Sequence, residues 1–270
     1  MSAALARLRA FLAAASGVAL VEGREAKGST PREAGAWMLV SPGGIFGTIG
    51  GGQLEFMAID RAREMIAAGT PATDLIDIPL GPEIGQCCGG RVVVDIALAD
   101  EALRAAIPQR IEREEAARPA AFIFGGGHVG HALADALSLL PLAVTVVETR
   151  ADQIRALPEG VEARVIAVPE AVVREAPAGA AFLVLTHDHA LDFLIVAEAL
   201  RRPDAAYVGM IGSKTKRATF ASWYLKEAGG GEAALSRLVC PIGGSGVKDK
   251  RPAVIAAMAA AEVMRALAAA

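Results

Sequence analysis

Aromatic residues are scarce in this chain, only 4% of 270 positions, and cysteine occurs three times. An odd count of three is not a disulfide framework. With no secretory context, the cysteines read as reduced, cytosolic thiols. Cys-x-x-Cys spacing is missing, so a zinc site cannot be assembled from neighbouring cysteines alone. A dominant charge is missing too. The formal net charge of −3 points away from a polyanion, so nucleic acid is not an expected partner. No internal repeat occurs, and no low-complexity tract beyond alanine enrichment. Nor is a membrane span expected. Arg7 and Arg9 ahead of Phe11–Ser16 loosely imitate a signal peptide, but Leu5, Leu8 and Leu12 share one helical face, which reads as an ordinary first helix. The Ala-rich C-terminus carries Glu262 and Arg265 and reads as a packed helix.

What the chain does have is glycine-rich turns placed next to apolar runs. The stretch from Ala121 to Leu137 organises the rest. Ala121 to Phe124 reads as a buried strand, Gly125, Gly127 and Gly130 fit G-x-G-x-x-G, and Val129, Leu133 and Leu137 return at helical spacing. In that context the first glycine makes the turn, the second lets backbone approach a phosphate, and the third lets helix and strand pack closely. Free N–H groups at the helix start favour an anion, and His128 sits inside the turn. A second strand, Ala143 to Val147, ends in Glu148, at the distance where an acid reads a ribose hydroxyl.

The expected fold is α/β. Residues 1–100 read as a small N-terminal α+β domain, 101–119 as a charged linker helix, and 120–270 as a Rossmann-like parallel-sheet domain. In the first domain, strands are expected at Val18–Val21, Asp74–Ile78 and Val92–Leu98. Trp37–Val40 and Ile45–Ile49 form a hairpin, and a helix opens at Gln53. In the second, further strands are expected at Arg164–Ala167, Ala181–Leu185 and Tyr207–Ile211, with helices at Phe193–Arg201, Lys214–Ala228 and from Pro252. Ligands in such sheets bind beyond the carboxyl ends of the strands. Thr186–His189, Gly212–Lys214 and Cys240–Gly243 fall there.

Each remaining constellation has a chemical and a structural reading. Gly50, Gly51 and Gly52 open a helix and read as a second anion cradle, or as a hairpin exit needing positive φ. Glu55 bonds a ligand or complements the helix dipole. Cys87 and Cys88, bracketed by Gly85, Gly89 and Gly90, offer thiolates to a soft metal or to sulfur chemistry, or are two small buried residues. Cys240 joins them or packs in the core. His187 and His189 are a base, a ligand contact or part of a metal site, or are solvated beside a capping Asp188. Ser213 caps a helix and Lys214 meets a phosphate. Arg32 pairs an anion with its planar fork or is a surface charge.

Taken in order, the segments Gly28–Val40, Gly47–Glu55, Gly85–Gly90, Phe122–Gly130, Thr186–Ala190, Tyr207–Lys216 and Cys240–Gly243 resemble the XdhC/CoxI family of xanthine dehydrogenase accessory proteins. The resemblance runs along nearly the whole chain. It implies a protein that binds molybdenum cofactor (molybdopterin) and protects it, supports its sulfuration with a cysteine desulfurase, and delivers it to xanthine dehydrogenase. It also implies a cytoplasmic homodimer acting as a maturation chaperone rather than an enzyme, with the cofactor thiol at Cys87 or Cys88. NAD or another nucleotide at the Rossmann turn is a second expected ligand. The alternative function is an NAD-dependent oxidoreductase using the turn, Glu148, and His187 or His189 as acid/base. A weaker third is thiol transfer by Cys87 and Cys88 alone.

Overall fold

The computed structural model describes residues 2–70, 72–81, 89–244 and 246–269, in two compact units that divide between Glu114 and Glu115. Cys87 and Cys88, with Gly85, lie outside the described residues.

The first unit is an antiparallel sheet with helices on both faces. Its strands are β1 (Ala19–Lys27), β2 (Trp37–Val40), β3 (Ile45–Gly47), β4 (Thr73–Pro79) and β5 (Arg91–Leu98), in the order β3-β2-β1-β5-β4. The two-residue period of a strand sorts side chains between the faces. Met38 and Val40 face helix α2 (Gly52–Ala68) and pack with Leu54, Ala58 and Met65. Leu39, between them, faces α1 (Ala3–Ala14) and packs with Leu5, Leu8, Ile107 and Ile111. The expected hairpin forms, with Met38 opposite Gly47 and Val40 opposite Ile45. β1 runs on to Lys27, well past the expected Val21. It pairs with β5 along its whole length through an irregularity between Gly23 and Glu25, and its outer half is polar and exposed, so no apolar alternation marks it.

Helix α3 (Glu101–Ala116), expected as a link, packs into this unit through Ile107 and Ile111. Arg110 reinforces it. Its guanidinium lies 5.0 Å over the Trp37 ring, donates to Glu22 at 2.8 Å and Glu114 at 3.0 Å, and Glu114 also accepts from the Trp37 indole N–H.

The second unit is a six-stranded, wholly parallel sheet: β6 (Ala120–Phe124), β7 (Ala143–Glu148), β8 (Glu162–Val165), β9 (Ala181–Val184), β10 (Tyr207–Met210) and β11 (Leu238–Val239). Counted within the unit, the strand order is 3-2-1-4-5-6, the Rossmann order. One face carries α4 (His128–Ser138) and α9 (Pro252–Ala269), where Leu133, Leu137, Ala259 and Val263 meet Ile123, Val146 and Leu183. The opposite face carries α5 (Glu170–Glu175), α6 (His189–Leu200) and α7 (Lys214–Lys226). Most of the chain's aromatics lie on that side, with Phe122, Phe124, Phe182, Phe193, Phe220, Trp223 and Tyr224 in one cluster. A one-turn α8 (Glu232–Leu235) and β11 were not foreseen; both are too short to carry a period. β8 begins two residues before the expected Arg164, because this exposed edge strand shows no apolar alternation.

The chain has one tryptophan in each unit, Trp37 and Trp223. In a Trp223→Phe background, Ile107→Ala is expected to cost about 2–5 kcal/mol. The measurement is denaturant unfolding followed by Trp37 fluorescence. An unshifted midpoint would show that α3 adds nothing to the first unit.

Candidate functional site

In the first unit, three loops converge. Gly28 and Ser29 lie against Gly89 and Gly90, with an isolated bridge between Ser29 and Gly89. A side chain at Gly90 would collide with the carbonyls of Ser29 and Lys27, so only glycine fits there. Gly50 is packed against Pro31 and the stem of Arg32. Thus Arg32, the Gly50–Gly52 turn and the glycines directly following the cysteine pair share one region. Arg32 is exposed and has no ion pair among the described residues.

The turn itself holds a carboxylate already. Glu55 Oε2 accepts from the N–H groups of Ile49 and Gly51, both at 3.1 Å, and from the Thr48 hydroxyl. The Gly50 N–H donates to Thr48 Oγ1 at 3.0 Å. The expected ligand cradle is therefore filled by the chain's own Glu55, because a carboxylate one helical turn in reaches back to those donors. Burial pushes the Glu55 carboxyl up, and hydrogen bonds from Thr48, Gly51, Ile49 and Gly50 more than offset it, so it lies below the ordinary carboxylate range.

In the second unit the glycine turn leaves β6 next to the end of β9. Gly125 adopts φ 117°, and a side chain on it would strike the Leu185 carbonyl. Gly130 packs against the Gly125 carbonyl, Gly126 against Gln153 in the 3-10 turn Ala151–Ile154, and Gly127 is open. His128 is exposed. His131 packs: its ring nitrogens lie 3.2 Å from the Gly127 carbonyl and 3.0 Å from that of Arg155. Those carbonyls, Arg155 first, outweigh burial and raise the His131 pKa above its ordinary value. Gly126, Gly127, His128, His131 and Arg155, with Asp135 and Asp152, line a cleft of about 490 Å³.

This Rossmann topology, with its glycine turn at the strand-order switch, is matched by comparison with known proteins. Residues 121–263 match the family described as the XdhC Rossmann domain, and residues 11–78 match the XdhC and CoxI family. The chain belongs to the XdhC and CoxI family. The uncharacterized protein YqeB of Escherichia coli (strain K12) is 24% identical over 257 residues, which are 89% of this chain and 42% of that protein. The chain thus spans less than half the length of this curated relative. A solved structure described as a xanthine dehydrogenase from Bacillus halodurans has the same fold, with a TM-score of 0.79 at 19% identity, covering 100% of this chain and 96% of that one.

Within this family fold, Glu148 does something the spacing did not reveal. It is only 4% exposed. Its Oε2 accepts the Gly126 N–H at 2.9 Å, and its Oε1 accepts the N–H groups of Thr149 at 2.8 Å and Arg150 at 3.2 Å. The expected ribose-reading acid is thus a latch between the end of β7 and the glycine turn. Burial raises its pKa, and the N–H donors of Gly126, Thr149 and Arg150 bring it below the ordinary range.

His187 and His189 are exposed, and Asp188 caps α6 by accepting the Ala190 N–H at 2.8 Å, which is the structural reading. Ser213 caps α7, accepting the Lys216 N–H at 3.2 Å, and Lys214 is exposed. Cys240 is half-buried, and burial raises its thiol pKa. What sequence reasoning missed is a buried pair. Asp192 is 0% exposed and pairs with Lys216, while its other oxygen accepts the Thr186 N–H at 2.8 Å and hydroxyl at 2.7 Å. An acid inside the apolar run Leu191–Val196 was the available signal, since a buried charge requires a partner. Among the described residues no group of three or more His, Cys, Asp and Glu could hold a metal ion.

Two outcomes follow from these carboxylates. Glu148→Gln is expected to lower stability at neutral pH by about 1–3 kcal/mol. Because the native carboxyl lies below its ordinary value, that gap should close as pH falls through the carboxylate range, in paired denaturation curves. Asp192→Ala, which strands Lys216, is expected to cost about 3–5 kcal/mol, most of it recovered in Asp192→Ala/Lys216→Met. A double variant as unstable as the single one would contradict the pairing.

Proposed function

We propose that this chain is a molybdenum cofactor-binding accessory protein. On this reading it shields molybdopterin, supports sulfuration of the metal with a cysteine desulfurase, and delivers the cofactor to a xanthine dehydrogenase-type hydroxylase. It acts as a cytoplasmic homodimer and catalyses no turnover itself. Family membership sets the context. The observation that carries the reading is the loop convergence in the first unit. There the glycines after Cys87 and Cys88 are packed backbone-to-backbone against the Lys27–Ser29 segment, and the same loop goes on to an exposed Arg32 with no ion pair among the described residues. A planar guanidinium suits a phosphate and thiolates suit a soft metal, so these residue types fit the cofactor. On this reading Cys87 and Cys88 hold the metal end and Arg32 the phosphate, with Gly51 leaving its side open.

A second reading, an NAD-dependent oxidoreductase, draws on the Rossmann strand order and the open Gly127. The Glu148 latch weighs against it, because a ribose hydroxyl would compete for an acid already bonded to three backbone N–H groups.

The test is to produce the full chain in cells that make molybdenum cofactor and assay the purified protein for released pterin and for molybdenum. Wild type should carry both, and Cys87→Ala/Cys88→Ala should lose them while keeping its unfolding midpoint. Pterin-free wild type, or a double variant with full loading, would overturn the reading. Turnover of NAD(H) would favour the second.

A further inference from the structure

Beyond the ends of β10 and β11 lies a cleft of about 670 Å³ whose described lining does not include the glycine turn. Its volume is that of a small-molecule site. Ile211, Ile242, Ile255 and Met258 give it an apolar floor, and Val247, 44% exposed, stands at the rim. The floor is fixed from below. Glu262 Oε2 accepts the Tyr207 hydroxyl at 2.8 Å and the Gly243 N–H at 2.9 Å, and the Ile242 N–H donates to the Met210 carbonyl at 3.2 Å.

Among the described residues, the charges left unpaired at this cleft are of one sign. Lys248 and Lys250 are exposed and have no ion pair among the described residues, whereas Asp249 between them is bound to Arg251 at 2.5 Å. The Ser213 hydroxyl accepts from Lys216 and keeps its own proton to donate. Apolar walls with two free ammonium groups and a hydroxyl donor complement a flat ring that carries an anion. At the glycine turn, by contrast, the Gly126 N–H is taken by Glu148 and the Ala151–Ile154 turn lies against Gly126.

We infer that the second unit binds a heterocyclic phosphate in the β10–β11–α9 cleft, with its ring on Ile211, Ile242 and Met258 and its phosphate on Lys248 and Lys250. A pterin phosphate and a nucleoside monophosphate share this chemistry. The pterin form rests on the function proposed above, with Lys248 and Lys250 taking the phosphate in place of Arg32; the nucleotide form rests on neither.

Two fluorescent probes separate the sources, neopterin monophosphate and ethenoadenosine monophosphate, each titrated into the full chain and read by anisotropy. At least one should bind. Binding should weaken by about tenfold or more in K248E/K250E. These exposed charges can be reversed without touching the core. Ile255→Arg, checked for an unchanged unfolding midpoint, should weaken it similarly, and Arg155→Glu in the glycine-turn cleft should leave it within about twofold. Failure of both probes to bind, or a loss that follows Arg155→Glu instead, would overturn the inference. If only the adenosine probe depends on the cleft, the inference stands with a nucleotide as ligand. The pterin then lies elsewhere, and the retention assay on Cys87→Ala/Cys88→Ala still decides the function. If the cleft variants bind both probes as wild type does, the inference fails while that assay remains decisive on its own.

Discussion

Close approach of backbone to backbone, allowed only where a side chain is missing, is the constraint on which both units depend. In the second unit Gly130 lets α4 lie on the Gly125 carbonyl, and Gly125 lets the turn lie on the Leu185 carbonyl. These contacts bring the ends of β6 and β9 together at the place where the strand order reverses. In the first unit Gly90 lets the end of the cysteine loop lie on the Lys27–Ser29 backbone. A methyl group at any of these positions would push apart two segments that carry the candidate chemistry. The glycines therefore set where loops meet, and the helices and strands hold that meeting rigid.

Each unit then closes its glycine turn with a carboxylate of its own. Glu55 reaches back one helical turn and Glu148 reaches across from the neighbouring strand, and both are held below the ordinary carboxylate range by backbone N–H groups. An anion at such donors is favourable whatever its source. An internal carboxylate, once there, raises the bar for an external phosphate, which must displace a tethered competitor or use the donors left over. This is why unpaired cations, Arg32 beside the turn of one unit and Lys248 and Lys250 apart from the turn of the other, suit an external anion better than the turns' own N–H groups do.

Much of this was legible in the chain. The alternation from Ala121 onward announces a parallel sheet, and the glycine spacing locates the switch point, because both depend on local periodicity. The roles of Glu55 and Glu148 were not legible. Spacing says that a carboxylate stands near a turn, but not whether it faces outward to a ligand or inward to the N–H groups; that depends on three-dimensional reach. The Asp188 cap was legible in the chain, and the geometry shows it. The outer half of β1 and the first two residues of the edge strand β8 escaped notice for one shared reason. Exposed strands have no apolar face, so their pairing is set by partners far away in sequence.

The buried Asp192–Lys216 pair shows what such long-range partners accomplish. A buried ion pair is a poor source of stability compared with apolar packing of the same volume, so its presence calls for another role. Asp192 stands on α6 and binds Thr186 at the end of β9, while Lys216 stands on α7, whose cap is Ser213 just beyond β10. The pair thus ties two adjacent strand-end loops to each other through their following helices. An apolar substitute would fill the space but would leave the Thr186 N–H and hydroxyl without their acceptor, and the loop would lose its fixed position. Specificity of position at the carboxyl edge, rather than net stability, is what this charge pair contributes, and the inferred ligand cleft beside it at Ser213 would inherit that rigidity.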